Sequence, residues 1–345
     1  MAAYVSRPAL RFPEHEITLD DILDDIRTTH PDHERLGAVL RIVNRTGVRR
    51  RRFTRPLDEV SATEPTDVRN DRAFADLARL GEEAARAVLA AQDLPPDRVD
   101  AVITSHSTGI AIPGLDVHLI NALGMAPTVR RIPMTQLGCA GGAFALAIAA
   151  DHLRAHPGAR ILVVVAEALS TVYQHSDTSL ESMIYKALFG DSAGAVVVTD
   201  TPRGGGLVIE DTWMYTLPDT IERYRAHLDT TGQHFESTRA ALLSTNELLP
   251  PLLDWYGPVQ PQYVVAHTGG PRILDDLEAG LGGDAKLFEP SRASLRERGN
   301  LGGTAVLDVL DRHYAMPPAA DASGLLLGLG PGFTAAALSG HWSVQ

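Results

Sequence analysis

Two distant segments of this 345-residue chain read alike. Val102-Ile103-Thr104-Ser105-His106-Ser107-Thr108-Gly109 is an apolar run that ends in histidine, a hydroxyl residue and glycine. Val264-Val265-Ala266-His267-Thr268-Gly269-Gly270 repeats the arrangement. A helical segment precedes each. The first spans Asp71–Gln92, with apolar Phe74, Leu77, Leu80, Ala84 and Val88 on one side, and Leu94-Pro95-Pro96-Asp97 stops it. The second spans Ser237–Tyr256, and Pro250-Pro251 is expected to break it. A repeated alternation of strand and helix predicts an α/β body of mixed sheets, with helices between and outside them. Asp200-Thr201-Pro202-Arg203-Gly204-Gly205-Gly206 marks the restart, which divides the chain into halves 1–205 and 206–345. Related halves of this kind place their strand ends around one shared cavity.

Further apolar runs at Asp100–Thr104, Arg160–Ala166 and Ala193–Val198 predict buried strands, and Arg272–Leu281 and Thr304–His313 predict helices. The first 60 residues, interrupted by Pro8, Pro13 and Pro31, read as irregular except for a helix near Leu36–Arg45. A formal charge of −12 gives a field that repels nucleic acid and anionic membranes. The start lacks an apolar signal segment, and Ile161–Val165 is too short to span a bilayer. The chain has a single cysteine, which rules out an intramolecular disulfide. Together these features predict a cytoplasmic protein.

That cysteine lies in Gln136-Leu137-Gly138-Cys139-Ala140-Gly141-Gly142, between an extended run, Val129–Gln136, and an Ala/Leu-rich helix, Phe144–His156. A thiol at a strand-to-helix junction sits beside free N–H groups and the positive end of the helix dipole, which favours thiolate. The alternative is a small buried hydrophobe. A nucleophilic cysteine needs a partner that keeps it ionised, and His267, at a strand's C-terminal end, is placed to face a crevice or to serve as a structural histidine. Asn300, in Gly299-Asn300-Leu301-Gly302-Gly303, reads as a helix N-cap, as an amide donor to a developing enolate, or as both. Gly328-Leu329-Gly330-Pro331-Gly332-Phe333-Thr334 has neither dinucleotide nor phosphate-loop spacing and reads either as a tight turn between strands or as a turn that lines a catalytic cavity and offers backbone N–H groups. The run Arg49-Arg50-Arg51-Arg52 is either an exposed charge cluster or a holder of coenzyme A phosphates. No Cys/His spacing suggests a metal site.

Four ordered motifs carry a resemblance. Gln136-Leu137-Gly138-Cys139, Ala187-Leu188-Phe189-Gly190-Asp191, His267-Thr268-Gly269-Gly270 with Gly299-Asn300, and Gly328-Leu329-Gly330-Pro331-Gly332 resemble the type III polyketide synthases, and Pro271–Asp276 and Ser291-Arg292-Ala293 look closest to the bacterial members. These are chalcone-synthase-like members of the thiolase superfamily. The resemblance implies a thiolase-like duplicated five-layered αβαβα fold and a homodimer. It implies an acyltransferase that condenses malonyl-CoA iteratively onto an acyl-CoA starter held on Cys139, then cyclises the product. No cofactor beyond these thioester substrates is implied. His267 would pair with the Cys139 thiolate, and His267 and Asn300 would stabilise the malonyl-derived enolate. Phe189 and Phe235 match aromatic gates; Ser107, Leu169, Val172, Ala226 and Gly302 match pocket positions. Arg45 and Arg49 are the candidates for coenzyme A contacts, and Gly109–Gly114, with Ile112, matches the subunit contact. Two departures stand out: only Ala140 separates the cysteine from the Gly-Gly pair, and the segment from Glu167 to Tyr173 is one residue short. The competing readings are a single-round condensing enzyme of the same fold, a cysteine hydrolase, and a non-catalytic scaffold.

Overall fold

A computed structural model describes residues 2–344 apart from residue 283. The N-terminal third runs β1 (Ala3–Val5), β2 (Ala9–Arg11), β3 (His15–Thr18), α1 (Leu19–Thr29), α2 (Leu36–Val43), β4 (Arg50–Phe53), α3 (Leu57–Ser61) and α4 (Thr66–Ala91). The middle holds β5 (Ala101–His106), α5 (Leu115–Leu123), β6 (Arg130–Thr135), α6 (Gly141–Ala155), β7 (Ile161–Glu167), α7 (Leu180–Leu188), β8 (Ser192–Thr199) and β9 (Gly206–Thr216). A hairpin follows, β10 (Tyr224–Asp229) with β11 (Gly232–Ser237). The chain then continues through α8 (Ser244–Tyr256), β12 (Tyr263–Ala266), α9 (Pro271–Leu281), α10 (Glu289–Arg298), α11 (Ala305–Ala315), β13 (Ser323–Gly330) and β14 (Thr334–Ser343).

The main sheet runs β12-β13-β14-β9-β1-β8-β7-β5-β6, and β2 also pairs with β8. Within it one motif occurs twice. β5 is parallel to β7, which is antiparallel to β8; β12 is parallel to β13, which is antiparallel to β14. The short β1 joins the two parts by pairing with both β8 and β9.

Strict alternation sets the layers. Ile161, Val163 and Val165 of β7 enter a central core, while Leu162, Val164 and Ala166 enter an outer one with α4 and α5. On β13, Leu326 joins the central core, and Leu325, Leu327 and Leu329 face α8 and α9. Both faces of these strands are buried, so the sequence is apolar without a break. Leu146 and Ala149 of α6, with Leu307 and Leu310 of α11, fill the central core between the two sheet portions. Helix, sheet, helix, sheet, helix gives the five-layered thiolase-like arrangement.

Three local expectations are corrected. The first 60 residues are not irregular: they supply four strands and three helices, and Pro8 and Pro13 fall between strands. Pro250 and Pro251 do not break α8, which runs through both but starts only at Ser244. Leu248, Leu249 and Leu252 bury the helix against α9, and this packing outweighs the two missing backbone donors. The helix after the cysteine begins at Gly141, three residues before the expected start.

Candidate active site

Cys139 sits in a 3₁₀ turn, Gly138–Ala140, that feeds directly into α6. The turn is tight. Gln136 and Gly138 both have positive φ, 66° and 53°. Crowding explains the glycines behind it. A Cβ on Gly141 would lie 2.3 Å from Ser105 Oγ, and one on Gly142 would lie 2.1 Å from the Gly303 carbonyl oxygen. The start of α6 therefore presses against the turn before α11, which brings Asn300 to the cysteine. Cys139 and Asn300 occupy corresponding places, just ahead of the two central helices.

Asn300 is 4% exposed. Its backbone N–H donates to the Leu188 carbonyl at 2.7 Å, and its own carbonyl accepts from Gly190 N at 3.0 Å. Its Oδ1 accepts from Gly302 N at 2.9 Å, which leaves Nδ2 to donate toward Cys139 Sγ at 3.8 Å. Asn300 is not the N-cap of α11, a place taken by Thr304; its side chain instead closes the turn ahead of that helix and offers an amide to the sulfur.

His267 follows β12, and its N–H donates to the Leu327 carbonyl at 2.9 Å. The side chain is 2% exposed, and Nδ1 has no hydrogen-bond partner among the described residues. Burial pushes this imidazole down to about 3. Burial also pushes the Cys139 thiol up to about 12, with the Glu167 charge adding to the rise and Asn300 opposing it. Burial thus opposes the thiolate bias expected from the helix start. A helix terminus contributes about 0.3–1 kcal/mol. A rise from 9.0 to about 12 corresponds to about 4 kcal/mol.

Glu167, fully buried at the end of β7, was not singled out from the sequence. One oxygen accepts from Ser107 N at 3.1 Å and Ser107 Oγ at 2.7 Å; the other accepts from Gly303 N at 3.3 Å. Burial pushes its carboxyl up to about 7. A charged residue closing an otherwise apolar strand, Ile161–Glu167, was the available signal.

These groups open into a cleft of about 640 Å³, counting its mouth. Of the sequence candidates, Cys139, His267, Asn300, Ser107, Leu169, Phe189 and Phe235 line it. Val172 lies behind the wall, packed with Leu169 and Phe189. Ala226 is exposed on β10, opposite Phe235 in the hairpin ladder. Gly302 has a φ of 59°, and a Cβ there would sit 3.1–3.2 Å from Glu167 and Leu169. Gly302 therefore meets a backbone requirement and does not leave a vacant wall position. The sequence reading missed the aromatic residues Tyr185, Tyr224 and Phe333, which also line the cleft.

Arg45 and Arg49 are exposed and outside the cleft lining. Gly47 between them packs toward Pro271, the first residue of α9, whose Ile273 lines the cleft. The arginine run is not a uniform patch. β3–β4 pairing turns Arg51 inward, fully buried, with its guanidinium donating to the Thr18 and Ala187 carbonyls. Burial pushes Arg51 down to about 10. No cluster of potential metal ligands occurs among the described residues. Among them, no helix is long and apolar enough to cross a membrane.

Residues 12–202 match the N-terminal domain of the chalcone and stilbene synthases, and residues 254–341 match the C-terminal domain. The 1,3,6,8-tetrahydroxynaphthalene synthase of Streptomyces griseus is 36% identical, over 99% of this chain and 94% of its own. The phloroglucinol synthase of Pseudomonas fluorescens is 32% identical, over 97% and 98%. The crystal structure of tetrahydroxynaphthalene synthase from Streptomyces coelicolor A3(2), a bacterial type III polyketide synthase, superposes with a TM-score of 0.95 at 34% identity, covering 99% of this chain and all of that one. Germicidin synthase from Streptomyces coelicolor superposes with a TM-score of 0.94 at 32% identity, with the same coverage. With its two-part main sheet, its cysteine at the start of a central helix and these relatives along its length, this chain belongs to the chalcone and stilbene synthase family, the type III polyketide synthases.

Proposed function

We propose that the protein loads an acyl group from a coenzyme A thioester onto Cys139 and extends it iteratively with malonyl-CoA, then releases a cyclised product. The observation that carries this reading is the Asn300 amide facing Cys139 Sγ, with His267 lining the same aromatic-walled cleft. Burial disfavours the charged form of both the thiol and the imidazole. Substrate entry is met by proton transfer from Sγ to His267, which creates two opposite charges side by side and leaves the net charge of the site unchanged. The thiolate attacks the starter thioester carbonyl, the C–S bond to coenzyme A breaks, and the coenzyme leaves as its thiol.

Malonyl-CoA then takes the vacated place. Its carboxylate departs as CO₂, and the electron pair moves onto the thioester oxygen as an enolate. Asn300 Nδ2 and a protonated His267 nitrogen donate to that oxygen, and the preorganised donors gain strength because Phe189 and Phe235 exclude water. The enolate carbon attacks the acyl-Cys139 carbonyl. A carbon–carbon bond forms, the C–S bond breaks, and Cys139 is freed as the β-ketoacyl-CoA forms; transfer of that chain back to Cys139 begins the next round. Arg45 and Arg49, both exposed, would meet coenzyme A phosphates.

The same reading includes a homodimer. Ile112 is 99% exposed and Ile110 62%, on the loop between β5 and α5, and such side chains suit an interface. The deciding experiment incubates the protein with malonyl-CoA, alone and with a panel of acyl-CoAs, and identifies products by mass. CO₂ release with chain-extended products supports condensation. Free acids and coenzyme A without extension would instead identify a hydrolase.

A further inference from the structure

The α7 wall of the cleft is aromatic in a way the proposed reaction does not require. Tyr185 lies one helical turn before Phe189, so the two rings project from neighbouring positions of the same side. They stack at 5.1 Å with an interplanar angle of 11°. Phe235, from β11, meets both, at 5.5 Å from Phe189 and 6.1 Å from Tyr185. All three line the cleft with Cys139. Tyr185 is partly buried between Phe189 and Phe235, so its ring is packed on two sides. A ring stacked on Phe189 and met by Phe235 has little room to swing aside for a growing chain. Tyr185 packs against the apolar cluster of Phe189, Leu169, which lines the cleft, and Val172 behind it, so loss of the Tyr185 ring would enlarge the cleft along that cluster.

We propose that Tyr185 is a specificity-determining residue: its ring occupies the volume that further two-carbon units would need, and so sets the length to which the chain on Cys139 grows. This inference rests on the condensation reading above. It assigns chain-length control to α7, whereas Ala226 is exposed and Gly302 is constrained by its backbone.

The test compares the product mass distribution of the wild type with that of Tyr185→Ala, Tyr185→Leu and Tyr185→Phe, each incubated with malonyl-CoA and the same starter panel. Alanine keeps α7 helical while deleting the ring, leucine retains apolar packing, and phenylalanine removes only the hydroxyl. The proposal expects Tyr185→Ala to shift the distribution by one or more two-carbon units, with Tyr185→Leu intermediate and Tyr185→Phe near the wild-type length. The quantity read is the ratio of longer to shorter products, whatever the rate. An unchanged ratio in both Tyr185→Ala and Tyr185→Leu overturns the proposal. So does loss of Cys139 loading in both folded variants, since a group needed for loading is not a length limiter. If Tyr185→Ala fails to fold, Tyr185→Leu alone decides. A wild type that forms no extended product from any starter would instead overturn the condensation reading.

Discussion

A thiol in a dry cleft has to ionise without water, and the cost falls on its neighbours. With the Cys139 thiol pushed up to about 12, the thiolate fraction, and hence the alkylation rate, should climb with pH throughout the range from about 6 to 9. Iodoacetamide alkylation against pH checks this; a plateau already reached near neutrality would mean a resting thiolate–imidazolium pair. Glu167 gives a second expectation at this scale. Its folded-state value of about 7 lies above its ordinary 4.5, so the folded protein binds the extra proton. Stability from this group is present below about pH 4.5 and is lost as pH rises through about 7, by about 3 kcal/mol at most. Glu167→Gln should flatten the fall of Tm between pH 5 and 7, as followed by circular dichroism. An unaltered slope would assign that dependence to other buried carboxyls, of which Asp191, raised to about 6, is the first candidate.

The β10–β11 hairpin is small and largely exposed, yet it presents Phe235 to the cleft. It is held by side chains. His234 Nδ1 bonds to Asp177 at 2.9 Å and Nε2 approaches Asp229 at 3.2 Å, while Gln233 donates to the Ser107 carbonyl at 3.0 Å. Removing the His234 contacts should cost about 1–3 kcal/mol of local stability. His234→Ala is therefore expected to speed amide exchange across residues 224–237 and to raise KM for the starter more than it lowers kcat. Unchanged exchange in that segment would show that the hairpin is held otherwise. Elements of this kind were the least legible in the sequence. β10 and β11 have no apolar core of their own, so neither periodicity nor composition marks them. The short N-terminal strands escaped for the same reason, since β1 and β2 exist only because β8 and β9 offer them edges. The arginine run misled differently: a strand paired on one side alternates, and Arg51 was carried inward.

At the scale of the whole molecule the sequence was far more informative. Fully buried strands leave unbroken apolar runs, and the repeated ending in histidine and glycine at His106 and His267 marked two corresponding strand ends. The glycines beside Cys139 were legible as a close approach, although what approaches, the turn before α11, required the fold. The cleft walls were read only in part, because Tyr185 and Tyr224 look like ordinary half-buried aromatics until the helix and the hairpin bring them opposite the sulfur. The exposed Ile112 belongs to this scale too. Ile112→Asp should convert a dimer to monomer in light scattering at micromolar concentration, and a wild-type monomer would remove the basis for that interface.

The account turns on Cys139 as the carrier of the growing chain. The direct measurement is a rapid quench of the protein with starter acyl-CoA and malonyl-CoA, followed by intact mass and peptide mapping. The account predicts acyl adducts confined to the Cys139 peptide, including species extended by two-carbon β-keto units, and neither adducts nor extended products in Cys139→Ala. Chain-extended product from Cys139→Ala, or adducts on any other peptide that turn over into product, would contradict it.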